Sequence, residues 1–223
     1  MLNPDDFVIT RKRKKYRFAL FANAPNCFEL TDWQIFAQGQ TLSNCSVEVG
    51  AGTALFSVEL ATRYTARQYI ALDVKADRLQ RGARLALERG LTNIWFVRAR
   101  ADQLPDVVPE HSVSELWLTF SDPFPKDRDA KRRLTAPRFL DLYTRALISG
   151  SHPEIGVLRM KTDNHALFDW SLEQLVALGW GIRELSYDLH ESSLMDDYKI
   201  LTTYERKWHA EGLATMYLGA TNA

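Results

Sequence analysis

Val47-Glu48-Val49-Gly50-Ala51-Gly52-Thr53-Ala54 is the stretch from which the fold is read. Residues 47–49 have strand character, two glycines follow, and helical spacing runs from Thr53 to Tyr64. Glycines at such a turn let the backbone bend tightly and approach a ligand closely. Outward from this unit the pattern repeats. Residues 69–74 read as the next strand and 76–89 as a helix stopped by Gly90. Residues 94–97, 116–120 and 155–160 supply further strands. A helix over 137–148 starts beside Ala136-Pro137 and stops before Gly150, and another covers 165–178. Residues 183–188 and 200–207 read as two late strands separated by a polar loop. Alternation of this kind predicts an α/β fold: a doubly wound, Rossmann-like, mostly parallel sheet of seven strands with an antiparallel edge strand.

Residues 1–26 read as a basic N-terminal arm and 27–223 as one domain, a length that can bury a sizeable core. The start lacks the apolar stretch of a secretory signal, and no apolar run is long enough to cross a bilayer. Cys27 and Cys45 are too few for a disulfide framework, and the five histidines are too scattered for a metal site to be read from spacing. These features predict a cytoplasmic protein with no membrane partner and no metal, either a monomer or a homodimer. The 28 basic and 28 acidic residues cancel, which excludes a uniformly basic nucleic-acid binder. The basic residues are nevertheless clustered, in Arg11-Lys12-Arg13-Lys14-Lys15-Tyr16-Arg17 and again at Lys126, Arg128, Lys131, Arg132 and Arg133. Cations focused on one face can bind a polyanion even in a neutral protein; the alternative is a solvated arm and a solvated helix end.

Parallel sheets bind ligands beyond the carboxyl ends of their strands. Asp73, 23 residues after Gly50, stands at such an end and can accept hydrogen bonds from both hydroxyls of an adenosine ribose. Dinucleotide and S-adenosylmethionine enzymes share that arrangement. Here the third glycine of the dinucleotide fingerprint is replaced by Leu55, too bulky for the helix–strand contact glycine permits. Glu48 would repel a pyrophosphate and attract a ligand carrying sulfonium and ammonium groups.

Ser121-Asp122-Pro123-Phe124-Pro125-Lys126 follows the fourth strand, and Lys131-Arg132-Arg133-Leu134 follows that. Here the chain resembles the bacterial tRNA (guanine-N7-)-methyltransferases, whose hallmark is D-P-[WF]-P-K followed by K-R-R-L. The resemblance runs from about Val47 to Leu218 and includes Lys161-Thr162-Asp163-Asn164 and Thr202-Thr203-Tyr204-Glu205. It implies a class I methyltransferase fold, S-adenosylmethionine as methyl donor, and tRNA as partner, methylated at guanine 46 of the variable region. By motif position, Glu48, Gly50, Gly52, Asp73 and Asp122 would contact the cofactor. Lys126, Asp163, Thr202 and Glu205 would hold the guanine, while Arg128, Lys131, Arg132 and Arg133 would contact RNA. Two positions depart from the family pattern. Ala54 stands where glycine is usual, and Arg100-Ala101 stands where an acid precedes the alanine, so that either Asp102 or backbone holds the adenine.

N7 of guanine carries a lone pair and no proton, so attack on a sulfonium methyl needs no general base. Positioning then carries much of the rate, in favourable cases about 7 to 11 kcal/mol. Asp122 is the expected catalytic residue, because a carboxylate near the base stabilises the positive charge that grows on the purine. The N1–H and N2 amino donors of guanine call for a paired acceptor, either Asp163 or Glu205. Phe124, between two prolines, either stacks on the base or plugs the core. Rival readings are a methyltransferase for small molecules or proteins, which would not need the basic blocks, and a non-catalytic RNA-binding module, which would not need Glu48, Asp73 and Asp122.

Overall fold

The computed structural model describes residues 2–9, 11–150 and 155–222. The chain divides into two compact units, Met1–Val107 and Val108–Ala223.

In the first unit α1 (Lys12–Ala22) precedes the short strand β1 (Cys27–Glu29) and α2 (Leu30–Ala37). Two strand–helix steps and a further strand then follow: β2 (Cys45–Val49), α3 (Leu55–Arg63), β3 (Tyr69–Asp73), α4 (Ala76–Glu88) and β4 (Ile94–Arg98). The strands lie in the order β1-β4-β3-β2, all parallel. Every residue of β2 and β3 is buried, as expected of parallel strands covered on both faces. Helix α4 buries Ala76, Leu79, Gly82, Ala83 and Ala86, a stripe of helical period. The basic block falls in the segment read as an N-terminal arm, whose conformation the sequence left open. Much of it lies in α1, which packs on α4 and buries Ala19 and Phe21. The side chains of Lys12 and Arg13 lie outside the described ones.

The second unit runs β5 (Val113–Thr119), α5 (Pro137–Ala146), β6 (Val157–Thr162), α6 (His165–Ala177), β7 (Trp180–Ser186), α7 (Thr203–Ala210) and β8 (Met216–Asn222). Strand β5 pairs parallel with β6, whereas β8 runs antiparallel between β6 and β7. Asn164 caps α6 through its side-chain oxygen, which accepts from the Leu167 amide at 2.8 Å. Arg159 of β6 is buried and donates to Glu115, Glu184 and Tyr217, joining all four strands.

The expected α/β architecture, mostly parallel with an antiparallel edge, is present. Eight strands are described where seven were expected, the extra one being β1. The late segment also differs. Residues 200–207 are loop and helix, and the second late strand is β8. Among the described residues, no helix is long and apolar enough to cross a membrane.

Candidate active site

The glycine turn after β2 is tied to β3 through its backbone. Amides of Gly50 and Ala51 both donate to the Leu72 carbonyl, at 2.8 and 3.0 Å. Gly52 has φ +55°, the left-handed region open to glycine, and its amide donates to Asp73 Oδ2 at 2.8 Å. The other oxygen of Asp73 accepts from the Lys75 amide at 2.7 Å. The carboxylate is thus fixed by two backbone donors at the carboxyl end of β3, 9% exposed. Glu48 is 2% exposed and accepts from the Ser57 hydroxyl of α3 at 2.5 Å. Ala54 sits at φ +53°, a conformation that disfavours alanine relative to glycine by about 1 to 2 kcal/mol. That is the physical reason glycine suits this position. The turn also has a neighbour the sequence did not announce. A Cβ on Gly82 of α4 would lie 2.5 Å from the Thr53 carbonyl oxygen, so only glycine lets α4 come this close.

After β4 Asp102, the side chain expected at the adenine, meets Arg100. Arg100 Nε and Nη2 donate to the two oxygens of Asp102 at 2.9 and 2.8 Å, and this bond raises the Arg100 pKa further. The Asp102 carboxylate is therefore already engaged by the residue that stands in the family's acid position.

In the second unit the Asp122 loop follows β5. Its backbone turns through two non-glycine residues with positive φ, Phe120 at +50° and Phe124 at +41°, a strain that must be held by surrounding contacts. The Phe120 amide donates to the Lys161 carbonyl at 2.8 Å, and the Phe124 end is held by Arg133. Its Nε donates to the Pro123 carbonyl and its Nη2 to the Phe124 carbonyl, both at 3.1 Å, and its guanidinium lies 4.5 Å over the Trp170 ring. Only 7% exposed, Arg133 is not placed to meet RNA phosphates as expected; it braces the loop from behind. Arg128, Lys131 and Arg132 are exposed, as is Lys126. Arg132 lies 4.3 Å over the Phe124 ring and 3.5 Å from Asp129. Asp122 is exposed within this braced loop.

At the end of β6, Asp163 Oδ2 accepts from the Tyr204 hydroxyl at 3.3 Å, and the Tyr204 ring packs 5.5 Å from Phe120. Glu205 turns the other way. It is 1% exposed; Oε2 accepts from Lys161 Nζ at 3.0 Å and Oε1 contacts His190 Nε2 at 2.9 Å and Thr215 Oγ1 at 3.2 Å. Its backbone amide donates to Thr202 Oγ1 at 3.0 Å, while the Thr202 amide donates to Glu205 Oε2 at 3.1 Å. The T-x-x-E stretch is a capping box at the start of α7. Of the two expected readers of the guanine edge, Glu205 is therefore spent inside the protein, with the fully buried Lys161 as its counter-ion. Lys161, Trp170 and Tyr204 were not picked out from sequence. Lys161 and Tyr204 lay within quoted motifs, but nothing in one sequence tells a buried lysine from a solvated one.

A parallel strand–helix unit carrying a glycine turn, with acids inside its first strand and at the end of its second, defines a class I methyltransferase. Solved structures of this fold include the 16S rRNA methyltransferase KamB, with TM-score 0.62 and 19% identity, covering 84% of this chain and 92% of that one. Another is a 16S rRNA (adenine(1408)-N(1))-methyltransferase from Catenulisporales acidiphilia solved with its cosubstrate SAM, with TM-score 0.56 and 15% identity over 88% and 92% of the two chains. The chain itself belongs to the tRNA (guanine-N(7)-)-methyltransferase family. The family model described as "Putative methyltransferase" matches residues 43–218. The tRNA (guanine-N(7)-)-methyltransferase of Cytophaga hutchinsonii is 38% identical over 77% of each chain. That of Brevibacillus brevis is 37% identical over 74% of this chain and 75% of its own.

Proposed function

We propose that this protein transfers the methyl group of S-adenosylmethionine to N7 of a guanine in tRNA, at position 46 of the variable region, in the cytoplasm. The observation that carries the reading is the carboxylate pair of the first unit. Glu48 is buried beside the glycine turn and Asp73 is clamped to it by the Gly52 amide, an anionic site that suits a cationic adenosyl ligand. Names of the relatives and the second unit's motifs support tRNA as the acceptor.

When bound, S-adenosylmethionine supplies an electrophilic methyl group on a sulfonium. Asp73 has lone pairs beyond those taken by its two backbone donors, and these accept from the ribose hydroxyls. Glu48 favours the ligand's positive charge by proximity. Asp163 accepts from N1–H and the N2 amino group of the guanine, with its rotamer held by Tyr204. Asp122 stabilises the positive charge that develops on the purine, and the N7 lone pair needs no base to free it. Lys126, Arg128, Lys131 and Arg132, all exposed, neutralise phosphates.

Labelled S-adenosylmethionine incubated with unmodified tRNA, followed by nucleoside analysis, tests the proposal. Label is expected in 7-methylguanosine; label in another nucleoside, or none, would refute it. Asp122→Ala is expected to abolish transfer with circular dichroism unchanged, and near-normal turnover would remove Asp122 from the mechanism.

A further inference from the structure

Directly after Asp73, the first unit carries a cleft of about 490 Å³ that none of these roles uses. Lys75 and Asp77 line one side of it, Arg11 and Lys14 near the start of α1 another, and Arg98 at the end of β4 a third. Four cations thus face a single lining carboxylate. Arg98 is held in place: its Nη1 lies 3.2 Å from both oxygens of Glu29, its Nε donates to the Val74 carbonyl at 3.3 Å, and its guanidinium sits 5.0 Å over the Phe18 ring. Glu29 offsets part of that charge. Among the described residues, Arg11, Lys14 and Lys75 form no ion pair, so their charge is left for a ligand. The remaining lining is apolar, with Val8, Ile9, Phe18 and Val74.

We propose that this cleft holds a backbone phosphate of the bound RNA, with the adjoining sugar or base against the apolar wall. The inference rests on the reading that the acceptor is tRNA and adds a contact outside the basic block near Lys131. A bare inorganic anion would have no use for the apolar side, whereas a nucleotide presents a phosphate and a flat hydrophobic face together. The position fits as well. The cleft begins at the residue after the carboxylate that grips the donor's ribose, so RNA anchored there is brought to the same strand end.

The test is a double variant, Lys14→Ala with Lys75→Ala, two exposed side chains whose loss should leave the circular dichroism spectrum unchanged. Filter binding of unmodified tRNA is measured against sodium chloride concentration, and S-adenosylhomocysteine affinity by calorimetry. The double variant is expected to bind tRNA more weakly, with the slope of log Kd against log salt shallower by about one unit per lost contact, and to bind S-adenosylhomocysteine as the parent does. A parent-like slope and affinity would overturn the proposal. So would a loss confined to S-adenosylhomocysteine, which would make the cleft part of the donor site. Failure of the parent protein to bind tRNA would instead defeat the acceptor reading, and this proposal with it.

Discussion

Replacing Arg133 by lysine keeps the charge and removes the planar fork that reaches two carbonyls at once. The loop bearing Asp122 should then lose its brace, and misplacement of about an ångström lowers turnover on the order of 100-fold. We expect Arg133→Lys to lower kcat while leaving the salt dependence of tRNA binding unchanged. Arg132→Ala should do the reverse, flattening the salt slope by about one unit. Equal effects of both variants on the salt slope would return Arg133 to the RNA surface. Glu205 makes a second contrast at this scale. Glu205→Ala removes the carboxylate that faces the fully buried Lys161 ammonium and should destabilise the fold by about 3 to 5 kcal/mol in urea titration, whereas loss of the Thr202 cap should cost about 1 kcal/mol. Unchanged stability with a raised KM for tRNA would instead make Glu205 a base contact. Both residues lay inside recognisable motifs. Their side-chain direction was not legible, because a motif fixes the place of a residue along the chain and only packing decides which way it faces.

The elements around the glycine turn were legible because their pattern is local. The striped helix α4 announces itself by its period, and the short apolar run of β3 by its length and the turn residues beside it. Residues 200–207 did not. Ile200, Leu201, Thr202, Thr203 and Tyr204 are rich in β-branched and aromatic side chains, and read as a strand. The capping box and the buried Lys161–Glu205 pair override that preference and start a helix. Strand β1 was missed for another reason: with three residues it has no period to detect. Helix α4 offers the prediction for this scale. Gly82→Ala would push its backbone away from Thr53, whose carbonyl would stand 2.5 Å from the new methyl. Overpacking of this kind costs about 1 to 3 kcal/mol. Differential scanning fluorimetry should show a lower Tm and calorimetry a weaker affinity for S-adenosylhomocysteine. A drop in Tm with parent-like affinity would uncouple α4 from the turn.

Across the whole molecule, 28 positive and 28 negative side chains sum to zero, yet exposed cations gather at Lys126, Arg128, Lys131 and Arg132, and Arg11, Lys14 and Lys75 line the cleft beside α1. Net charge therefore predicts little about RNA affinity. We expect tRNA binding to weaken steeply with salt, by about 0.7 to 0.9 units of slope for each phosphate contact, and a flat salt profile would contradict the focused-charge reading. Donor-side binding should register globally too: S-adenosylhomocysteine at about 100 times its Kd should stabilise the protein by about 2.7 kcal/mol.

Asp73 carries one more consequence. Both of its oxygens face backbone N–H groups, those of Gly52 and Lys75. An asparagine there has one oxygen and one NH₂, and whichever way the amide is flipped, hydrogen is turned toward hydrogen on one side. The near-isosteric Asp73→Asn exchange should therefore loosen the turn even in protein that has never met an adenosyl compound.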